Sequence, residues 1–138
     1  MKHVFIDTNV MVDYLANRTP FAKDAILLLT LGKQKRIRLY ISSLCYYQLS
    51  YILRNQRTKH ETLLVLKDIY SWTDCLPVTS DIIKQSLHSN FTDFEDAIQH
   101  FIAHNHRSIH CIVTRNKRDF TTSQLPVLSP KECLSWLN

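Results

Sequence analysis

Short β-branched runs alternate with helix-length amphipathic segments along almost all 138 residues, and this alternation restricts the fold more than any other feature. His3–Ile6 is short, branched and aromatic, as a buried strand should be. Strand-like runs recur at Arg38–Ser42, Cys75–Val78, His110–Val113 and Pro126–Leu128. Between them, Val10, Met11, Tyr14 and Leu15 fall at helical spacing. Thr19-Pro20 is expected to open the next helix, with a capping hydroxyl and a proline at the first helical position, and Gly32 to close it. Ser43 is expected to cap a helix through Leu53, and a further helix spans Thr58 to Trp72. Thr79 or Ser80 caps one through Leu87, Thr92–Asp96 opens another, and Pro130 starts the last. Parallel strands need crossovers, and each crossover helix must cover the sheet. The expected fold is therefore α/β: a three-layer α/β/α sandwich around a mostly parallel sheet of about five strands, one domain over residues 1–138. Gly32 is the only glycine, which disfavours barrels and β-sandwiches with their many tight turns.

No apolar run approaches the ~20 residues of a membrane span, and the first residues lead into a strand rather than a signal peptide. A cytoplasmic location with no membrane partner is the expectation. Cys45, Cys75, Cys111 and Cys133 lie far apart in apolar surroundings and read as small buried hydrophobes rather than disulfides or zinc ligands. His100, His104 and His106 read as surface residues on a polar helical face. The net charge is +5, with basic clusters around Lys35, Arg54 and Arg115, a pattern shared by solvated helix ends and nucleic-acid footprints.

The acids are more informative than the bases. In open parallel sheets, functional groups collect beyond the carboxyl ends of the strands, where the strand order reverses. Asp7 leaves the first strand, and Thr114-Arg115-Asn116 with Asp119 leaves the fourth. Asp93, Glu95 and Asp96 open the helix that feeds the fourth. If the first and fourth strands are neighbours, these groups converge. Crowded carboxylates repel unless a cation sits among them, and hard ions such as Mg²⁺ or Mn²⁺ prefer such oxygen-rich sites. An acidic metal site with a basic rim points to phosphodiester hydrolysis.

Each acid also has a purely structural reading. Asp7 could cap the first helix, Thr92 with Glu95 matches a capping box, and Asp93 with Asp96 fits an N-cap. Asp13 is placed on the exposed side of the first helix, paired with Arg18. Asp119 could be a turn residue.

Asp7-Thr8-Asn9-Val10, Asp93-Phe94-Glu95-Asp96-Ala97 and Thr114-Arg115-Asn116-Lys117-Arg118-Asp119-Phe120 together resemble the PIN-domain family, in the subgroup of VapC-type toxins from toxin–antitoxin systems. The resemblance covers essentially the whole chain. It implies a metal-dependent endoribonuclease, with RNA as substrate, Mg²⁺ or Mn²⁺ as cofactor and an antitoxin protein as partner. By position, Asp7 and Asp96 are the leading metal-binding and catalytic acids, joined by Asn116 and Asp119, with Asp93 a further candidate. Thr8, Asn9 and Thr114 would orient the carboxylates, while Arg115, Lys117 and Lys35 would hold neighbouring phosphates. Where relatives carry an acid early in the helix after strand two, the counterpart here is the neutral Gln48, and Asn116 stands where many have aspartate. Both departures imply weaker metal binding. Tyr46, Tyr47, Tyr51 and Trp72 are expected to be exposed and to serve the antitoxin contact or a homodimer.

A second reading is an RNA-binding module of the same fold whose catalysis has weakened, favoured by Gln48 and Asn116 and opposed by Asp7, Asp96 and Asp119. A phosphotransfer enzyme using Asp7 as acceptor fits less well. Haloacid-dehalogenase-like enzymes place a second aspartate two residues on, where this chain has Asn9.

Overall fold

Each of the five apolar runs becomes a strand of one sheet. The computed structural model describes residues 1–138. Its elements are β1 (His3–Ile6), α1 (Thr8–Leu15), α2 (Ala22–Lys33), β2 (Arg38–Ser42), α3 (Ser43–Leu53), α4 (Lys59–Trp72), β3 (Asp74–Leu76), α5 (Ser80–Leu87), α6 (Phe94–Asn105), β4 (Cys111–Val113), a 3₁₀ turn (Lys117–Phe120), β5 (Val127–Leu128) and α7 (Pro130–Leu137). The strand order is β3-β2-β1-β4-β5 and every pairing is parallel. Val4 sits between Leu39 and Cys111 in register.

Strand pleating assigns successive side chains to opposite faces. Val4, Ile6, Leu39, Ile41, Cys111 and Val113 point into one core, covered by α1, α2, α3, α4 and α7. Phe5, Tyr40 and Ile112 point into the other, covered by α5 and α6. Both faces are buried, which explains strands that read as continuous apolar runs. The chain winds outward from β1 to β3, then returns across the sheet to β4. That reversal places the switch point between β1 and β4, so the two strands expected to be neighbours are paired.

Local chemistry sets most helix starts. Thr58 and Glu61 cap α4 reciprocally, and Ser129 and Glu132 cap α7 in the same way. Thr79 caps α5. At α3 the cap is Ser42, whose side chain accepts from the Leu44 N–H, and the expected cap Ser43 instead accepts from Val78 N. Thr19-Pro20 does not open α2: it forms a cis peptide, and the helix begins at Ala22 with no side-chain cap.

Gly32 lies inside α2 rather than beyond its end, and the positive φ of the turn is taken by Lys35. The glycine is needed for proximity. A Cβ there would lie 2.0 Å from Leu39 Cδ1, so the missing side chain lets α2 press against β2.

The histidine expectation needs correcting. His100 is 1% exposed, packed among Phe91, Phe101 and His104, and its Nδ1 is hydrogen-bonded to Ser123 Oγ at 3.1 Å. His100 is buried because Phe91 and the segment at Ser123 pack over it, whereas His104 stays exposed and His106 is half-buried. Cys45, Cys111 and Cys133 are buried thiols and Cys75 is partly exposed. No helix is long and apolar enough to cross a membrane.

Candidate active site

Asp7 leaves β1 at the switch point and caps α1, so its carboxylate is fixed from several sides. Its Oδ1 accepts from Thr8 N at 2.8 Å and from Gln99 Nε2 at 3.3 Å, and its Oδ2 accepts from the Thr114 hydroxyl at 2.8 Å. The capping and site readings are therefore not rivals, since the cap geometry orients the carboxylate. Thr114 follows β4 and is fully buried. Its Oγ1 also accepts from Asn9 Nδ2 at 3.3 Å and from Asn116 N at 3.1 Å. Burial raises the Asp7 pKa, against the lowering effect of the hydrogen bonds from Thr114, Gln99 and Thr8.

A cavity of ≈ 410 Å³ opens beside this carboxylate. Four of the chain's 12 acidic residues line it (Asp7, Glu95, Asp96 and Asp119), together with Asn116 and Gln48. α6 supplies Glu95 and Asp96 from its first turn, and the 3₁₀ turn supplies Asp119. Burial pushes the Asp96 carboxyl up to about 7, reinforced by the charges of Asp93, Asp7, Asp119 and Glu95. Asp93 caps α6 by accepting from Asp96 N and is exposed, outside the lining of the cavity. The Thr92–Glu95 capping box does not form, so Glu95 is free to face the cavity.

The four carboxylates offer only oxygen donors, and the charges of its neighbours help raise the proton affinity of Asp96. Both features suit a hard divalent cation. No three Asp, Glu, His or Cys side chains close tightly enough to hold an ion by themselves. An ion here would keep much of its water, as Mg²⁺ commonly does.

The basic residues expected at the rim are dispersed. Lys35 sits in the turn before β2, at the amino ends of the strands and across the sheet from Asp7. Lys117 is paired with Glu132 at 2.8 Å. Arg115 turns inward: its Nε donates to Asp13 Oδ2 at 2.9 Å, and its guanidinium lies 4.3 Å from the Phe21 ring centre. Asp13 is thus a buried ion-pair partner of Arg115, not an exposed partner of Arg18, because α1 is short and packed on its Asp13 side. The cation that lines the cavity is Arg18.

Gln99 was not visible from motifs. It lies one turn beyond Asp96 on α6, and its Nε2 bridges Asp7 Oδ1 and Thr8 Oγ1. The i,i+3 spacing from Asp96 was the available signal. Of the aromatics expected to be exposed, Tyr47 and Tyr51 are, and both line the cavity. Tyr46 and Trp72 pack partly into the core.

The PIN domain family model matches residues 3–118. The chain belongs to the PIN-domain family. Among solved structures, this PIN domain is similar to the DNA-bound VapBC of Salmonella typhimurium (17% identity, 94% of this chain and 99% of that one, TM-score 0.70). It is also similar to a toxin–antitoxin complex from Klebsiella pneumoniae (22% identity, 92% and 97% covered, TM-score 0.68). A third similar structure is VapC20 of Mycobacterium tuberculosis, described as a Sarcin-Ricin loop cleaving toxin (18% identity, 79% and 86% covered, TM-score 0.58). At these identities the likeness is one of fold. No curated protein matches the sequence.

Proposed function

We propose that the chain is a divalent-metal-dependent endoribonuclease, the toxin of a toxin–antitoxin pair. The observation that carries this reading is the gathering of Asp7, Glu95, Asp96 and Asp119 around one cavity at the β1–β4 switch point of a PIN domain. Asp7, Asp96 and Asp119 would hold Mg²⁺ or Mn²⁺, with Asn116 and Glu95 reaching it directly or through water. The ion supplies positive charge against a phosphodiester and acidifies water. Thr8, Gln99 and Thr114 keep the Asp7 carboxylate aimed, and Asn9 steadies Thr114. Arg18 stands where it can take a phosphate oxygen. An antitoxin partner is supported by fold neighbours that are themselves toxin–antitoxin complexes. Leu63 and Tyr70, exposed two turns apart on α4, offer it an apolar surface.

Purified protein incubated with a mixed RNA pool and Mn²⁺ or Mg²⁺ should cleave it. EDTA, Asp7→Asn and Asp96→Asn should each stop cleavage. The weakened RNA-binding module is the second reading, favoured by the neutral Gln48 and Asn116 and by carboxylates that do not close on one point. RNA retained without cleavage in either metal would select it.

A further inference from the structure

The exposed face of α3 carries two tyrosines in an unusual position. Tyr47 is 73% and Tyr51 is 59% exposed, and both rings stand at the lip of the acidic cavity. They are four residues apart, so they share one face of the helix, with about 6 Å of rise between them. The Arg54 guanidinium lies over Tyr51, 3.7 Å from the ring centre, and is anchored by donating to the Tyr51 carbonyl. Just beyond, at the α3–α4 turn, a cleft of ≈ 520 Å³ is lined by Arg54, Arg57 and Lys59 with Ser50 and Thr58. The three ion pairs of the molecule use none of these cations. Glu61, two residues beyond Lys59, accepts the Thr58 N–H with its carboxylate as part of the α4 cap. Acidic cavity, aromatic pair and basic cleft thus follow one another along α3.

We propose that this succession is a track for single-stranded RNA, with bases seated on Tyr47 and Tyr51 and the backbone continuing into the basic cleft. The proposal rests on the ribonuclease reading and adds to it the residues outside the acidic cavity along which the strand lies. Bases have π-faces that stack on aromatic side chains irrespective of sequence, and an arginine beside the ring adds charge for the phosphate. Stacked bases within a duplex strand are about 3.4 Å apart. Rings separated by about 6 Å of helix rise suit bases that have left the stack. The basic cleft also has a role on this reading: phosphates are repelled by the four carboxylates of the cavity, and the cleft gives the flanking backbone a favourable place to lie. A protein partner would gain nothing from three unpaired cations unless it were acidic, whereas RNA uses tyrosines and cations together.

The test is binding of a fluorescein-labelled 12-nucleotide RNA without self-complementarity, free or annealed to its complement, to the full chain in EDTA. The free strand should bind at least tenfold more tightly than the duplex. Tyr47→Ala and Tyr51→Ala should each weaken strand binding about tenfold, and phenylalanine at either position should restore it. Arg54→Gln with Arg57→Gln should reduce the slope of log affinity against log salt by about 0.7 per lost phosphate contact. Equal affinity for strand and duplex, or alanine variants that bind like the wild type, would overturn the proposal. So would alanine variants that keep RNA affinity but lose a co-purifying protein partner. Since binding is read without metal, tyrosine-dependent strand binding with no cleavage in Mn²⁺ would remove the nuclease reading and leave the track standing.

Discussion

The Thr8 hydroxyl donates to Gln48 Oε1 at 2.6 Å, and this bond determines which end of the Gln48 amide meets the cavity. An ionised carboxylate only accepts, so Asp7 requires the nitrogen of Gln99 to face it. That nitrogen donates to Asp7 and also to Thr8 Oγ1. The Thr8 proton then goes to Gln48 Oε1, which leaves the amide nitrogen of this cavity-lining side chain as its free end. Gln48 therefore presents N–H donors where the family resemblance led us to expect a weakened cation ligand.

Gln48→Glu should accordingly exchange one property for another. The glutamate can still accept from Thr8, but it removes the donors and adds a fifth carboxylate to the cavity. Mn²⁺ affinity measured by calorimetry should rise, while RNA affinity measured in EDTA should fall by about tenfold, the scale of one lost hydrogen bond to a charged group. Unchanged RNA affinity would mean that the amide does not touch the substrate.

The Asp13–Arg115 pair makes a separable prediction about stability. Asp13 is 1% exposed, its Oδ1 has no partner, and Arg115 is its only counter-charge at hydrogen-bond distance. Arg115→Ala leaves a buried carboxylate uncompensated and should lower the unfolding free energy by about 3 kcal/mol. Adding Asp13→Asn should recover part of that loss in a double-mutant cycle by urea denaturation. RNA binding in folded Arg115→Ala protein should change little, because the guanidinium is committed to Asp13.

The alternation of strands and helices, and the placement of Asp7, Asp96 and Asp119 at element ends, were legible because periodicity and capping chemistry are local. The same holds for the caps at Thr79 and Asp93. The strand order and the three-dimensional partnerships were not legible. Arg115 is one of three cations in its motif, and nothing local says that it alone turns toward α1. His100 looked polar because its neighbours on the helix are, and only packing against Phe91 shows it buried. Lys35 was grouped with Arg115 by charge, although the sheet places them at opposite ends. Gln99 lies outside every motif, and its role exists only through Asp7 and Thr8.

Gly32 illustrates a local rule reversed by packing. Alanine in place of a mid-helix glycine ordinarily stabilises by about 1 kcal/mol. Here the new methyl would collide with Leu39, so Gly32→Ala should instead destabilise by roughly 1–3 kcal/mol and lower the melting temperature. Pairing it with Leu39→Ala should recover part of the loss, since the methyl then has room. A Gly32→Ala protein more stable than the wild type would show that α2 and β2 can separate without cost.

The pH dependence of the ion-free protein tests the electrostatics of the cavity. The Asp96 carboxyl is pushed up to about 7 in the folded chain, first by burial and then by Asp93, Asp7, Asp119 and Glu95. Its value in the unfolded chain is about 3.9. Between those values the folded state binds more protons, so this contribution to stability is complete below about pH 4 and is lost as pH rises through about 7. Asp7, also raised by burial, acts in the same direction. His100 opposes them: burial holds it down to about 4, so its contribution is lost as pH falls below its ordinary 6.5. The informative measurement is therefore wild type against Asp96→Asn, melted in EDTA from pH 5 to 8. The variant should gain melting temperature relative to the wild type as pH rises. At pH 8, millimolar Mg²⁺ should raise the wild type more than the variant, because an ion that binds the folded state stabilises it by mass action. Parallel melting curves for the two proteins at every pH would mean that the Asp96 charge is not crowded, and the acidic cavity would lose its electrostatic reason to attract a cation.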